Sequence, residues 1–131
     1  MRFIKLEVFM RLNNMKKMKF SNFNDGYMHV YNEKPVYTDF KAKKNIKSID
    51  NLEFIVTLAY EECSKRQQDL DFAESHNKTL NLKIKTRLFN GLNSNQKIVI
   101  LDELYDIIYI DSDRKKQEMY FYLERVRKIA E

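Results

Sequence analysis

The chain has 131 residues and no more than an ordinary globular share of apolar side chains, 44% against 33% charged, which suits one domain with a single core. Its one cysteine, Cys63, excludes an internal disulfide and fits a reducing compartment, while the absence of any apolar run near the ~20 residues of a membrane span excludes a helical anchor. The net charge of +5 is uneven: residues 1–47 hold 11 Lys or Arg against 4 Asp or Glu, a net of +7, leaving −2 for the rest. A basic leading third is compatible with a nucleic-acid partner, but solvated lysine is the more common explanation.

Residues 1–17 show no clean periodicity, and MKFSNFNDG, starting at Met18, has the look of the beginning of a folded domain. The first seventeen residues are therefore expected to be a loosely held extension. Asn24, Asp25 and Gly26 form a turn signature, since Gly takes the left-handed backbone and the Asx side chains close the bend locally. A strand follows from Tyr27 to Asn32, with Met28 and Val30 on one side and Tyr27, His29 and Tyr31 on the other. Pro35 ends it, and the lysine-rich stretch to Asp50 reads as a long exposed loop. Alternation returns at Leu52, where Leu52, Phe54, Val56, Leu58 and Tyr60 share one face, predicting a second long strand.

The period then changes. Ser64, Lys65, Arg66 and Gln67 match a capping box, so a helix is expected from Ser64 to about Ser75. Leu70, Phe72 and Ala73 do not make a broad apolar stripe, which predicts a helix displayed on the surface with Gln67, Gln68, Asp69 and Asp71 exposed. The stretch from Thr79 to Phe89 alternates again, with Leu80, Leu82, Ile84 and Leu88 inward and Asn81, Lys83, Lys85 and Arg87 outward. Asn90-Gly91 and the polar residues to Gln96 form a turn, and three further strands close the chain: Ile98 to Leu101, Leu104 to Ile110 and Met119 to Val126. Asp102-Glu103 serves as a tight hairpin turn and Asp111 to Glu118 as a solvated one. The expected fold is mainly β: a small antiparallel barrel of about six strands with one short helix inserted after the second.

Catalytic constellations are thin. Neither His29 nor His76 has a metal-type partner at ligand spacing, Cys63 reads as an inert thiol at a strand end, and Asp111 and Asp113 lie beside Arg114, Lys115 and Lys116, as a solvated turn would. There is no phosphate-binding glycine loop and no serine elbow, so a non-enzymatic protein without cofactor or metal is expected. The outward cations Lys83, Lys85 and Arg87 are the exception. Together with Tyr27, Tyr31, Tyr120 and Tyr122 they have the residue types of a surface that tracks phosphates and stacks bases. An ordinary wet sheet face with edge-protecting lysine is the commoner explanation of the cations, and the tyrosines equally fit an oligomer contact.

The order of elements carries a resemblance. A strand ending in ECSKRQQDLDFAESHN, then an alternating strand, then KIVILDELYDIIYIDSDRKKQEMYFYLERVRK, resembles the head-closure or head-tail joining proteins of tailed bacteriophages and prophages over about Met18 to Lys128. The family's closing pattern falls on Ile98, Ile100, Asp102, Tyr105, Ile107, Ile110 and the run Tyr120 to Glu124. Glu103 stands where the family usually has a turn glycine, and residues 1–17 have no counterpart. The resemblance implies a virion protein of the head-tail neck, made in the bacterial host cytoplasm and assembled as a homo-oligomeric ring, twelvefold in the family. Its implied partners are the portal or head-tail adaptor, a tail-side joining protein and the packaged double-stranded DNA in the bore, with no membrane. It further implies that the segment Ser64, Lys65, Arg66, Gln67, Gln68, Asp69, Asp71 and onward to Lys78 faces the channel and gates it. A tail-side joining protein is the other reading in the same setting, and a basic barrel for single-stranded nucleic acid is the reading from a different class.

Overall fold

In the computed structural model, residues 22–34 and 52–129 are described. The expected extension 1–17, the domain start at Met18 and the lysine-rich loop from Pro35 to Asp50 lie outside them. Among the described residues there are six strands, β1 (Gly26–Glu33), β2 (Leu52–Cys63), β3 (Leu82–Arg87), β4 (Lys97–Ile100), β5 (Glu103–Asp113) and β6 (Glu118–Lys128), with one helix, α1 (Gln67–Ser75), between β2 and β3. All pairings are antiparallel, and the sheet closes on itself in the order β1-β2-β3-β6-β5-β4. This is the barrel with an inserted helix that the alternation predicts. The closing seam between β1 and β4 is short, with His29 opposite Val99, Val30 opposite Ile98 and Tyr31 opposite Lys97.

The barrel interior is filled by Met28, Val30, Ile84, Ile98, Ile100, Ile107, Met119, Phe121 and Leu123. Branched and aromatic residues at every second position suit a pleated surface with one dry face. Two smaller clusters lie beside this core. Tyr31, Leu52, Val99, Leu104 and Ile129 make one. Ala73 of α1, Leu80 and Tyr122 make the other, with Ile108 and Tyr120 packed against it. Leu80, read from alternation as a strand residue of the barrel core, belongs to this helix-side cluster because β3 begins only at Leu82.

Irregularities explain where strict alternation fails. Between β1 and β2 the register shifts after Val30 opposite Val56, so that Tyr31 faces Phe54 and Ile55 is the extra residue. A bulge of this kind turns the following side chain. Phe54, expected on the dry face, is consequently 56% exposed and meets Tyr31 only edge-on at 5.7 Å.

The turns also sit one or more residues from their expected places. The β4–β5 turn is Leu101-Asp102, with Ile100 opposite Glu103; Leu101 takes φ +58° and is 83% exposed, so it ends no strand. β5 runs on through Asp111 and Asp113, and the turn into β6 is Arg114–Gln117, where the Asp113 carboxylate accepts the Lys116 amide at 3.2 Å. Asn24-Asp25-Gly26 leads straight into β1: the Asp25 amide donates to the Tyr60 carbonyl at 2.9 Å and its carboxylate accepts the Glu62 amide at 2.7 Å. Gly26, opposite Tyr60, takes φ +156°, where an L side chain is strained, and a Cβ there would also lie 2.9 Å from the Tyr60 hydroxyl oxygen, which would have to give way.

Candidate functional site

The outer face of β3, β6 and β5, with α1 laid across it, is where the residues singled out from the sequence converge. α1 starts at Gln67, three residues later than the Ser64 cap predicts, because the side chain that organises its first turn is Asp69. Its carboxylate accepts the Arg66 backbone amide at 3.0 Å, while the Arg66 carbonyl accepts the amides of Asp69 and Leu70. This is the returning half of a capping box, shifted along the chain; Arg66 has no acceptor with which to make the other half. The far end closes as expected near Ser75. The Lys78 amide donates to the Ala73 carbonyl at 2.9 Å and the Asn77 amide to that of Glu74 at 2.9 Å, with Asn77 at φ +59°. Those paired bonds form a Schellman termination.

Most of the arm is displayed, as its composition predicts: Ser64, Lys65, Arg66, Gln67, Gln68, Asp71 and Lys78 are all exposed. Asp69 is the exception. It is 7% exposed, since it points inward at the sheet, where its carboxylate meets the Lys83 ammonium at 3.0 Å and the Arg66 Nε at 3.4 Å. Asp69 and Ala73 are the buried residues of α1. Burial raises the Asp69 pKa, but the Arg66 amide, the Lys83 ammonium and the Arg66 side chain together hold it below the ordinary aspartate value.

Lys83 points to the outer face, as alternation requires, yet the helix covers it and leaves it 6% exposed rather than in water. Its ammonium also lies 5.2 Å from the Tyr122 ring centre and 5.6 Å from that of Tyr120, close enough for cation–π attraction. Lys85 stands between two carboxylates, 3.8 Å from Glu61 and 4.0 Å from Glu118. Arg87 alone of this row is exposed, its guanidinium 5.0 Å from the Phe23 ring. Two of the three cations expected to track phosphates are thus matched by carboxylates of the same chain. Of the tyrosines offered as stacking faces, Tyr31 and Tyr122 are buried, Tyr120 is half-buried and Tyr27 is 65% exposed. Burial pushes the Tyr122 hydroxyl pKa up.

A ladder of rings crosses from the helix to the sheet. Phe72 lies 4.5 Å from His76 and 5.6 Å from Tyr109, and Tyr109 lies 5.7 Å from Tyr122. Gln68, Asp69, Phe72, Tyr109 and Tyr122 line a groove of about 370 Å³. Tyr109 went unnoticed in the sequence, although its place in an apolar strand beside outward charges was a usable signal. A second groove, of about 490 Å³, is polar, and its wall is occupied by the Lys97–Asp106 pair at 2.7 Å.

No family model and no curated protein matches this chain.

Groups with reactive potential are dispersed. Cys63 ends β2 half-buried, and burial raises its thiol pKa, which suits an unreactive cysteine. His29 Nδ1 sits 2.7 Å from the Thr57 hydroxyl, and His76 Nδ1 lies 3.0 Å from the Phe72 carbonyl at the helix end. Among the described residues no cluster of three or more His, Cys, Asp or Glu is placed to hold a metal ion, and no helix is long and apolar enough to cross a membrane.

Proposed function

We propose that the protein is a structural component of the neck of a tailed bacteriophage or prophage, a head-closure ring that retains packaged DNA and docks the tail. The observation that carries the reading is the position of α1: a nine-residue helix inserted between β2 and β3 of a closed barrel, lying on its outside with two residues buried. A surface arm inserted after β2 is what the element order of the sequence resemblance calls for, and it supports the reading. Few buried contacts give such an arm low local stability, as a part that must yield to DNA requires.

Ring formation has support of its own. Along the closed sheet, β2 and β5 are three steps apart in either direction, so they lie on opposite sides of the barrel. Phe54 on β2 is 56% exposed, and Tyr109 on β5 is 46% exposed beside Phe72 at 42%. Different apolar patches on opposite sides are what a head-to-tail contact uses, and such a contact closes into a ring when the rotation allows. The partners under this reading are further copies of the chain, the portal or its adaptor, a tail-side joining protein and the double-stranded DNA in the bore; the location is the virion neck.

The reading is tested in phage particles. The protein should cosediment with portal-containing heads, and heads assembled with a chain lacking Arg66–Asn77 should lose packaged DNA. Heads that retain DNA with that deletion would overturn the gate. The nucleic-acid reading is separated by salt: a free barrel that binds single strands should lose affinity steeply as salt rises, whereas the neck ring should bind weakly at every salt concentration. The pairing of Lys83 with Asp69 and of Lys85 with Glu61 and Glu118 favours the ring.

A further inference from the structure

We infer that the Asp69–Lys83 pair is a latch that couples two events, the formation of helix α1 and its seating on the barrel. A nine-residue helix does not hold together alone in water, because the nucleation cost exceeds what so few backbone bonds return. α1 therefore exists only while something outside it supplies free energy, and its own sequence offers little, since Ala73 is its one buried apolar residue.

Asp69 answers both needs with one carboxylate. The oxygen that accepts the Arg66 amide at 3.0 Å, and so completes the first turn, is the oxygen that meets the Lys83 ammonium at 3.0 Å. Lifting the helix breaks its docking contact and removes the charge that orients its cap. Melting the helix swings the carboxylate away from Lys83. The two processes share an atom, so neither proceeds far without the other.

The receiving side is prepared in advance. Lys83 lies on β3 opposite Cys63 of β2 and Tyr122 of β6, and the Tyr120 and Tyr122 rings flank its ammonium. The ends of the arm are fixed too. The Lys65 ammonium donates to the Asn81 carbonyl at 3.1 Å, the Asn81 amide to the Leu123 carbonyl at 2.9 Å, and the Thr79 amide to the Glu124 carboxylate at 3.0 Å. Pinned ends leave the middle of the arm to seat or release as one piece, with the Asp69–Lys83 pair as its charged catch beside the packing of Ala73 with Leu80 and Tyr122 and of Phe72 with Tyr109. Breaking a buried pair by removing one partner strands the other charge, while replacing both is far less damaging. That asymmetry is what single and double variants of the pair can read. The latch is a property of the free protein and stands or falls separately from the neck assignment.

Amide hydrogen exchange on the purified full-length chain tests it. Lys83→Met should speed exchange across residues 67–77 by about tenfold or more, with the strand amides of β3, β5 and β6 unchanged. Asp69→Asn, which keeps an acceptor for the Arg66 amide and removes only the charge, should produce the same selective loosening and serves if Lys83→Met does not fold. The double variant Asp69→Asn/Lys83→Met should exchange more slowly in α1 than the product of the single effects. Unchanged protection of α1 in both single variants, equal loss across the barrel strands, or strictly additive effects would overturn the latch.

Discussion

Ile108 and Tyr109 are consecutive residues of β5, yet both serve the helix side of the barrel. The register runs from Ile107 opposite Leu123 to Tyr109 opposite Tyr122, which leaves Ile108 as the extra residue of a bulge. Ile108 packs against Ala73, Leu80 and Tyr122, while Tyr109 meets Phe72 and Tyr122. One inserted residue thus broadens the ledge on which α1 rests. Ile108→Ala should lower overall stability by ~1 kcal/mol for a half-buried side chain and should raise helix exchange more than strand exchange. Thermal unfolding and residue-resolved exchange measure the two effects.

Acid should release the helix before it unfolds the barrel. The Asp69 pKa is held below its ordinary value by the Arg66 amide and the Lys83 ammonium, against the upward push of burial. A depressed carboxylate contributes stability that is fully present above its unfolded-state value and is lost as pH falls through the folded-state one. Helix protection should therefore be flat through neutral and mildly acidic pH and should fall only below the usual aspartate range. Exchange or proteolysis of residues 64–78 across that range reads the outcome, and Asp69→Asn should abolish this acid step.

Gly26→Ala should destabilise the protein by about 1–3 kcal/mol. The added methyl would lie 2.9 Å from the Tyr60 hydroxyl and 3.1 Å from the ring, at a backbone φ of +156°. The double variant Gly26→Ala/Tyr60→Leu should recover part of that loss if the clash is the cause. Chemical denaturation of the three variants and wild type forms the cycle.

Asn77→Gly should stabilise the arm by a few tenths of a kcal/mol to about 1. Asn77 holds φ +59° in the Schellman turn, a conformation Gly reaches without crowding its own Cβ. Asn77→Val should do the opposite. Both changes should appear as altered protection of α1 while the barrel midpoint stays within error.

Under the proposed neck ring, Phe54→Lys should block assembly and spare the fold. Phe54 is 56% exposed on β2, so a charge there costs the monomer little and would disrupt the apolar contact between subunits that the ring proposal places there. Analytical ultracentrifugation at assembly concentration, with circular dichroism as the control, separates the effects; unaltered rings would remove this patch from the interface.

The strands were legible because their cause is local. Met28 and Val30, Ile84, and Phe121 and Leu123 sit at alternate positions and are buried as that pattern demands. What escaped was set by distant partners. Nothing near Lys83 indicates that a helix from the previous connection will cover it, and nothing near Asp69 distinguishes it from Asp71, which is exposed and accepts a hydrogen bond from Gln67 at 3.0 Å. The bulges at Ile55 and Ile108 were hidden for the same reason: an extra residue is visible only against the strand it fails to pair with. Ser64 offers a sound local cap signal, but the helix begins at Gln67, where the Asp69 carboxylate accepts the Arg66 amide and meets Lys83 on a strand that local sequence does not reveal.

The seam where β4 meets β1 has a consequence for how the chain is made and how it fails. β5 and β6 are hairpin neighbours with long pairing, whereas β1 must wait for a strand some seventy positions downstream and then gains only three facing pairs. Chain entropy makes so distant a closure late, so a nearly complete molecule passes through a stage with two unsealed borders. Two such intermediates meeting border to border would join through backbone bonds, and the same geometry that yields a sealed wall when folding is fast yields aggregates when synthesis outruns closure.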